Sequence, residues 1–257
     1  MAHIKPDNYN RFLKKYSDLK GIDLLIADLN GVLRGKRIQT SALEKVFQEG
    51  LLLPASVFAG DITGATVEET GLGIAQGDSD RVCRPIPGTL SKSPWYKKSM
   101  AQVLMTMHEA DGNPFFADPR QVLTRIINQF QESEFTAVMA VELEFYLLDI
   151  RRDSQKKPQP PISPVTGKRD KNTQLYSVDD LDDYGEFLDQ VAKGAESQGI
   201  PADTALAEYA PGQFEINLKH EADPLSACDN AILLKRLIKG VAREMGMIAT
   251  FMAKPYA

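Results

Sequence analysis

Residues 140–149 read AVELEFYLLD, and the assignment of this segment decides the rest. Val141, Leu143 and Phe145 alternate with Glu142 and Glu144. Successive side chains on a strand point to opposite faces, so a strand here sets two carboxylates side by side with an apolar face behind them. Read alone, such a Glu-x-Glu also suits the solvated face of an antiparallel sheet. The segment then continues as Phe-Tyr-Leu-Leu, more apolar than a solvated strand requires.

A second acidic pair lies downstream. Glu208 and Glu215 flank Tyr-Ala-Pro-Gly-Gln-Phe, and a turn at Pro211-Gly212 would let them face each other across a hairpin-like pair. Gln213, between glycine and an aromatic residue, has no obvious role in a turn alone. Burying unpaired carboxylates is costly, so four on one sheet need counter-charge. Neither strand supplies a lysine or arginine before Lys219. Divalent cations would compensate, and an all-oxygen donor set suits Mg²⁺ or Mn²⁺ better than zinc or copper.

Outward from these segments, the chain reads as alternating strands and helices. Residues 8–19 suggest a short amphipathic helix, and 22–38 a hairpin about Asn30-Gly31. Residues 40–50 have helical spacing with Gly50 as a stop. Residues 54–100 suggest loops between short strands, with RVCRPIPGTL as an irregular connector, and 101–109 a strand. Asp118 and Pro119 open a helix striped by Val122, Leu123, Ile126, Ile127 and Phe130. A domain boundary is placed at 112/113. Beyond it, 151–172 is a Pro-rich loop and 178–199 one helix with Leu181, Tyr184, Leu188 and Val191 inward. Two strands hinged at Pro211-Gly212 follow, then a long helix from Asp223-Pro224 and a strand from Ile248.

Composition sets the class. The 257 residues are 43% hydrophobic and 25% charged, enough to bury a core, and the net charge of −5 gives no support for nucleic-acid binding. No apolar run reaches the roughly 18–20 residues of a membrane span, and the N-terminus lacks a signal-peptide core. Cys83 and Cys228 match no metal-ligand spacing and read as reduced cysteines, so a cytoplasmic protein is expected. His108 reads as structural, and His3 sits at the terminus.

The segments VELEFYLLD, EYAPGQFEINL and IATFMAKP, in that order, resemble the glutamine synthetase superfamily. Glu208 to Glu215 matches the family pattern E-x-x-P-G-Q-x-E at every fixed position, and DLNGVLRGK looks like the hairpin of its N-terminal β-grasp domain. GDSDRVCRPIPGTL, AQVLMTMHEADGNPFFADPR and DPLSACDNAILLKRLIK look most like the γ-glutamylputrescine synthetase branch. The resemblance implies an α+β fold. Residues 1–112 would be the β-grasp domain, and 113–257 the first half of the catalytic β-sheet or barrel with flanking helices.

The resemblance also implies chemistry: ATP-dependent joining of the glutamate γ-carboxylate to an amine, through γ-glutamyl phosphate. Two Mg²⁺ or Mn²⁺ sites follow. Glu142 would hold the ion near the ATP phosphates, and Glu144, Glu208 and Glu215 the ion nearer glutamate. Putrescine or another polyamine is the expected acceptor, with ammonia the alternative. A non-catalytic descendant of the fold is a second possibility, and an unrelated metal-dependent hydrolase a third, whose usual histidine ligands are missing here. By resemblance Asp61 stands where relatives bind the incoming amine, but their F-D-G-S-S run is absent; by its neighbours Gly60 and Gly64 it reads as a turn residue. His220 would lie near the adenine, or is simply a histidine at a strand end. Family members assemble as dodecamers of two stacked hexameric rings, with active sites between subunits. They also continue past the TFMAKP motif into a histidine-containing metal motif and phosphate-binding arginines. Residues 1–257 alone are therefore expected to bind metal weakly and lack activity.

Overall fold

The computed structural model describes residues 7–256, so His3 lies outside the described residues. The chain forms two compact units, residues 1–137 and 138–257.

The first unit opens with helix α1 (Asp7–Lys15) and the hairpin of β1 (Gly21–Ala27) and β2 (Leu33–Ile38). The loop joining them is longer than the Asn-Gly pair alone. Asp28 Oδ1 accepts from the backbone N–H groups of Asn30 and Val32, at 2.9 and 2.8 Å, and Gly31 takes a φ of 66°. Helix α2 (Leu43–Glu49) ends at Gly50, with a φ of 88°. Strands β3 (Leu51–Pro54), β4 (Asp80–Pro85), β5 (Ser91–Lys92) and β6 (Met100–His108) complete a mixed sheet. Its order is β2-β1-β6-β4-β3, with β1 and β6 parallel and β5 against β6. Ile22, Leu24 and Ile26 alternate into a core shared with Val103, Met105, Met107, Leu43 and Phe58. On the opposite face of β1, buried Asp23 is held by Arg37 at 2.6 Å, the partner that a buried carboxylate requires.

The segment expected to be a connector is partly strand. Val82 and Cys83 pair with His108 and Met107, and Pro85 closes the run. Helix α3 (Pro119–Glu132) packs with the first unit. Asp118 caps it through Arg120 N–H and also accepts from Thr106 and Met107 on β6, while Gln121 donates to Thr106. These bonds turn Gln121 inward and leave Val122, Ile126 and Phe130 exposed. The compact units divide at 137/138, so α3, which follows the expected boundary at 112/113, belongs to the first unit.

The second unit is an antiparallel sheet of order β10-β7-β9-β8, formed by β7 (Glu142–Asp149), β8 (Ala202–Ala207), β9 (Gln213–Leu218) and β10 (Met247–Thr250). The expected single helix over 178–199 is two, α4 (Val178–Asp183) and α5 (Gly185–Gln198). They break at Tyr184, whose buried ring meets Phe214 edge-on at 5.3 Å and is followed by a glycine. Helix α5 buries Phe187, Val191, Gly194 and Ala195, Tyr184 is buried at the break, and Leu181 and Leu188, expected inward, are half-buried. Helix α6 (Pro224–Glu244) starts at the Asp223 cap with Pro224 in its first turn. Phe145 centres this core, 5.8–6.1 Å from the rings of Phe187, Phe214 and Phe251. The molecule is α+β, with helices flanking a sheet that reads as part of a barrel.

Candidate metal centre

Register builds the site. Antiparallel pairing sets Phe145 against Phe214, and on the opposite face Glu142 against Asn217, Glu144 against Glu215 and Tyr146 against Gln213. The face turned away from the aromatic core therefore carries the acidic residues. On the neighbouring strand Leu206 lies opposite Glu215, and Glu208 follows two residues later, at the next position of the same parity. Oxygens of Glu144, Glu208 and Glu215 all lie within 4.8 Å of one another. Glu142 shares the face one pair further along and lies outside this cluster. The four carboxylates thus lie on one face as a group of three with Glu142 adjacent, the same division into three and one that the resemblance implies.

The turn between β8 and β9 holds Glu208 in place. Gly212 has a φ of 71°, and its carbonyl accepts from Leu147 N–H at 2.8 Å. The Tyr256 hydroxyl donates to the Pro211 carbonyl, and its ring meets Tyr146 edge-on at 5.4 Å. Gln213 Oε1 accepts from Ala210 N–H at 3.1 Å, Gln213 Nε2 donates to Glu144 at 3.0 Å, and the Gln213 carbonyl accepts from Glu208 N–H at 2.8 Å.

The electrostatics follow. Desolvation raises the Glu215 carboxyl, with further repulsion from Glu142, Glu208 and Glu144. Desolvation and then Glu144 raise Glu208. Among the described residues, no lysine or arginine pairs with any of the three. Three carboxylates with no counter-ion among the described residues form an oxygen-only donor set that fits Mg²⁺ or Mn²⁺.

The remaining candidates lie elsewhere. Asp61, in the first unit, uses Oδ1 within its own loop. It accepts from the Thr63 hydroxyl at 2.7 Å and from the N–H groups of Thr63 and Ala65, and these bonds lower its carboxyl. His220 is exposed just past β9. Cys83 and Cys228 are both thiols; burial pushes Cys83 up to about 12, which suits packing rather than nucleophilic attack. His108 is half-buried, with its ring lowered by desolvation. The sequence marked Gln213 as more than a turn residue but not its bond to Glu144, and it did not single out Tyr146. Their parity with Glu144 and Glu215 was the available signal.

Comparison with known proteins is consistent with this arrangement. Residues 116–257 match the model of the glutamine synthetase catalytic domain. Gamma-glutamylputrescine synthetase of Escherichia coli (strain K12) is 48% identical over 246 residues, 96% of this chain and 52% of that protein. A glutamate–isopropylamine ligase of Pseudomonas sp. is 34% identical over 96% of this chain and 53% of its own length. A glutamine synthetase of Mycobacterium bovis is 32% identical over 93% and 50%. A GmaS–ADP complex superposes with a TM-score of 0.78 over 97% of this chain and 52% of that one; at 23% identity this speaks to the fold alone. The chain spans about half the length of the curated relatives it matches.

Proposed function

Because the chain belongs to the glutamine synthetase family, we propose that it supplies the carboxylate-bearing half of an ATP-dependent ligase joining glutamate to an amine. The observation carrying this reading is the convergence of Glu144, Glu208 and Glu215 within 4.8 Å with no counter-ion among the described residues. A non-catalytic descendant would have no physical reason to retain that repulsion.

In the proposed reaction an oxygen of the glutamate γ-carboxylate attacks the γ-phosphorus of ATP and ADP leaves. The amine nitrogen then attacks the acyl carbon, loses a proton and expels phosphate. Glu144, Glu208 and Glu215 would hold one divalent cation and Glu142 a second. Such ions, when bound, screen the anionic reactants and stabilise charge in phosphoryl transfer. The chain's own contribution is rigidity: two paired strands and a pinned turn fix the carboxylates before the reactants arrive. Asp61 as an amine-binding residue and His220 beside the adenine belong to the same proposal.

Putrescine is the proposed acceptor, supported by the 48% identity to a γ-glutamylputrescine synthetase. A homo-oligomer, a dodecamer by family likeness, and a cytoplasmic location complete the reading. For the location, the support is that both cysteines are thiols. Among the described residues, no helix is long and apolar enough to cross a membrane.

The test supplies ATP, Mg²⁺, glutamate and, in turn, putrescine, isopropylamine and ammonia, with mass detection of the γ-glutamyl amide. A chain carrying the family's full length is expected to prefer putrescine. Residues 1–257 alone are expected to take up Mn²⁺ weakly and form no amide. Amide formation by residues 1–257 alone, or no Mn²⁺ uptake, would overturn the proposal.

A further inference from the structure

We propose that Gln213 is a positioning residue that couples the Pro211-Gly212 turn to the acidic cluster, orienting Glu144 and Glu208 together for a divalent cation. This rests on the metal reading above. Gln213 is only 9% exposed, and both ends of its amide are engaged. Ala210 N–H needs an acceptor and the Glu144 carboxylate needs a donor, which fixes the amide with Oε1 toward the turn and Nε2 toward the cluster. Its backbone closes the same turn, donating to the Ala210 carbonyl at 2.9 Å and accepting from Glu208 N–H at 2.8 Å. One side chain thus touches a carboxylate 69 residues away in sequence, while its main chain sets the backbone of another.

The side-chain chemistry is selective. Glutamate here would keep the acceptor for Ala210 but lose the donor and add a further negative charge. Lysine would orient Glu144 but cancel charge the cation needs. Methionine would fill the space and make neither bond. A neutral amide holds a carboxylate in place and leaves its charge available, the usual role of groups behind metal ligands.

The experiment combines NMR of the ¹⁵N-labelled protein with Mn²⁺ binding followed by electron paramagnetic resonance. In wild type, added Mg²⁺ is expected to shift the Gln213 side-chain amide and the Ala210 backbone amide together. Gln213→Met is expected to weaken Mn²⁺ binding about ten- to hundredfold. In that variant the Ala210 amide should no longer respond to Mg²⁺. Folded Gln213→Met that binds Mn²⁺ as tightly as wild type would overturn the inference. So would wild type that takes up metal with its Gln213 amide unmoved, an outcome readable even if the variant fails to fold. Wild type that takes up no Mn²⁺ would instead overturn the metal reading, and this inference with it.

Discussion

Glu144 lies directly opposite Glu215 in the antiparallel register of β7 and β9, and Glu208 brings a third carboxylate to the same place. Without a cation this pairing opposes folding; with one it becomes a set of ligands. Glu144→Gln should therefore weaken Mn²⁺ binding by at least about tenfold while the circular dichroism spectrum is retained. Equal affinity in a direct titration would remove Glu144 from the site.

Glu215→Gln removes one of two like charges that face each other across strands. Such pairs destabilise by roughly 0.2–1 kcal/mol, toward the low end here because both groups are partly solvated. The metal-free variant should unfold at slightly higher urea than wild type at neutral pH, and should lose most of the stabilisation that Mg²⁺ gives wild type. A variant that is less stable without metal and equally responsive to it would contradict the cluster.

The raised carboxyls of Glu208 and Glu215 set a pH signature. The folded state holds these protons to higher pH than the unfolded state does. Their contribution to stability is thus fully present below the ordinary glutamate value of 4.5 and is lost as pH rises through the raised folded values. Asp149 works in the opposite sense. The Arg169 guanidinium at 2.7 Å, with Arg151 N–H, lowers it, so its contribution is lost as pH falls through that lowered value. Urea midpoints for wild type and Glu208→Gln/Glu215→Gln, measured without metal across pH 4–7, should differ most at the upper end. A constant difference would refute the assignment.

Gly212→Ala forces a Cβ to 2.8 Å from the Leu147 carbonyl oxygen, at a φ of 71°. A left-handed non-glycine residue costs on the order of 1–3 kcal/mol, and the contact adds to it. Chemical denaturation should show that loss, with weakened Mn²⁺ binding because the same turn carries Glu208. Full stability in the variant would show that the turn relaxes freely.

Phe145→Ala empties the centre of the aromatic group formed with Phe187, Phe214 and Phe251. The expected loss is about 3–5 kcal/mol. Exposed Glu142→Gln should stay within about 0.5 kcal/mol of wild type in the same denaturation series.

Much of this arrangement was legible in the chain. Alternation in 141–145 marked a strand and its two faces, Asp118-Pro119 and Asp223-Pro224 marked helix starts, and Pro211-Gly212 marked the hinge. Other features were not. The Tyr184 break depends on a ring packing against Phe214 from another strand, and β4 is a strand because β6 offers it partners. The stripe on α3 identified a helix but not which side packs, because Gln121 turned inward to reach Thr106.

By itself the sequence determined which residues share a face, where elements begin, and that four carboxylates needed compensation, because side-chain period and capping are local properties of the chain. Only the tertiary structure decided that Glu144, Glu208 and Glu215 meet while Glu142 stands one pair away, and that Gln213 bridges the turn to Glu144. Period two assigns a face but leaves the register open. Register is set by pairing between strands about seventy residues apart, and sliding β7 by one residue against β9 would put Glu144 and Glu215 on opposite faces of the sheet.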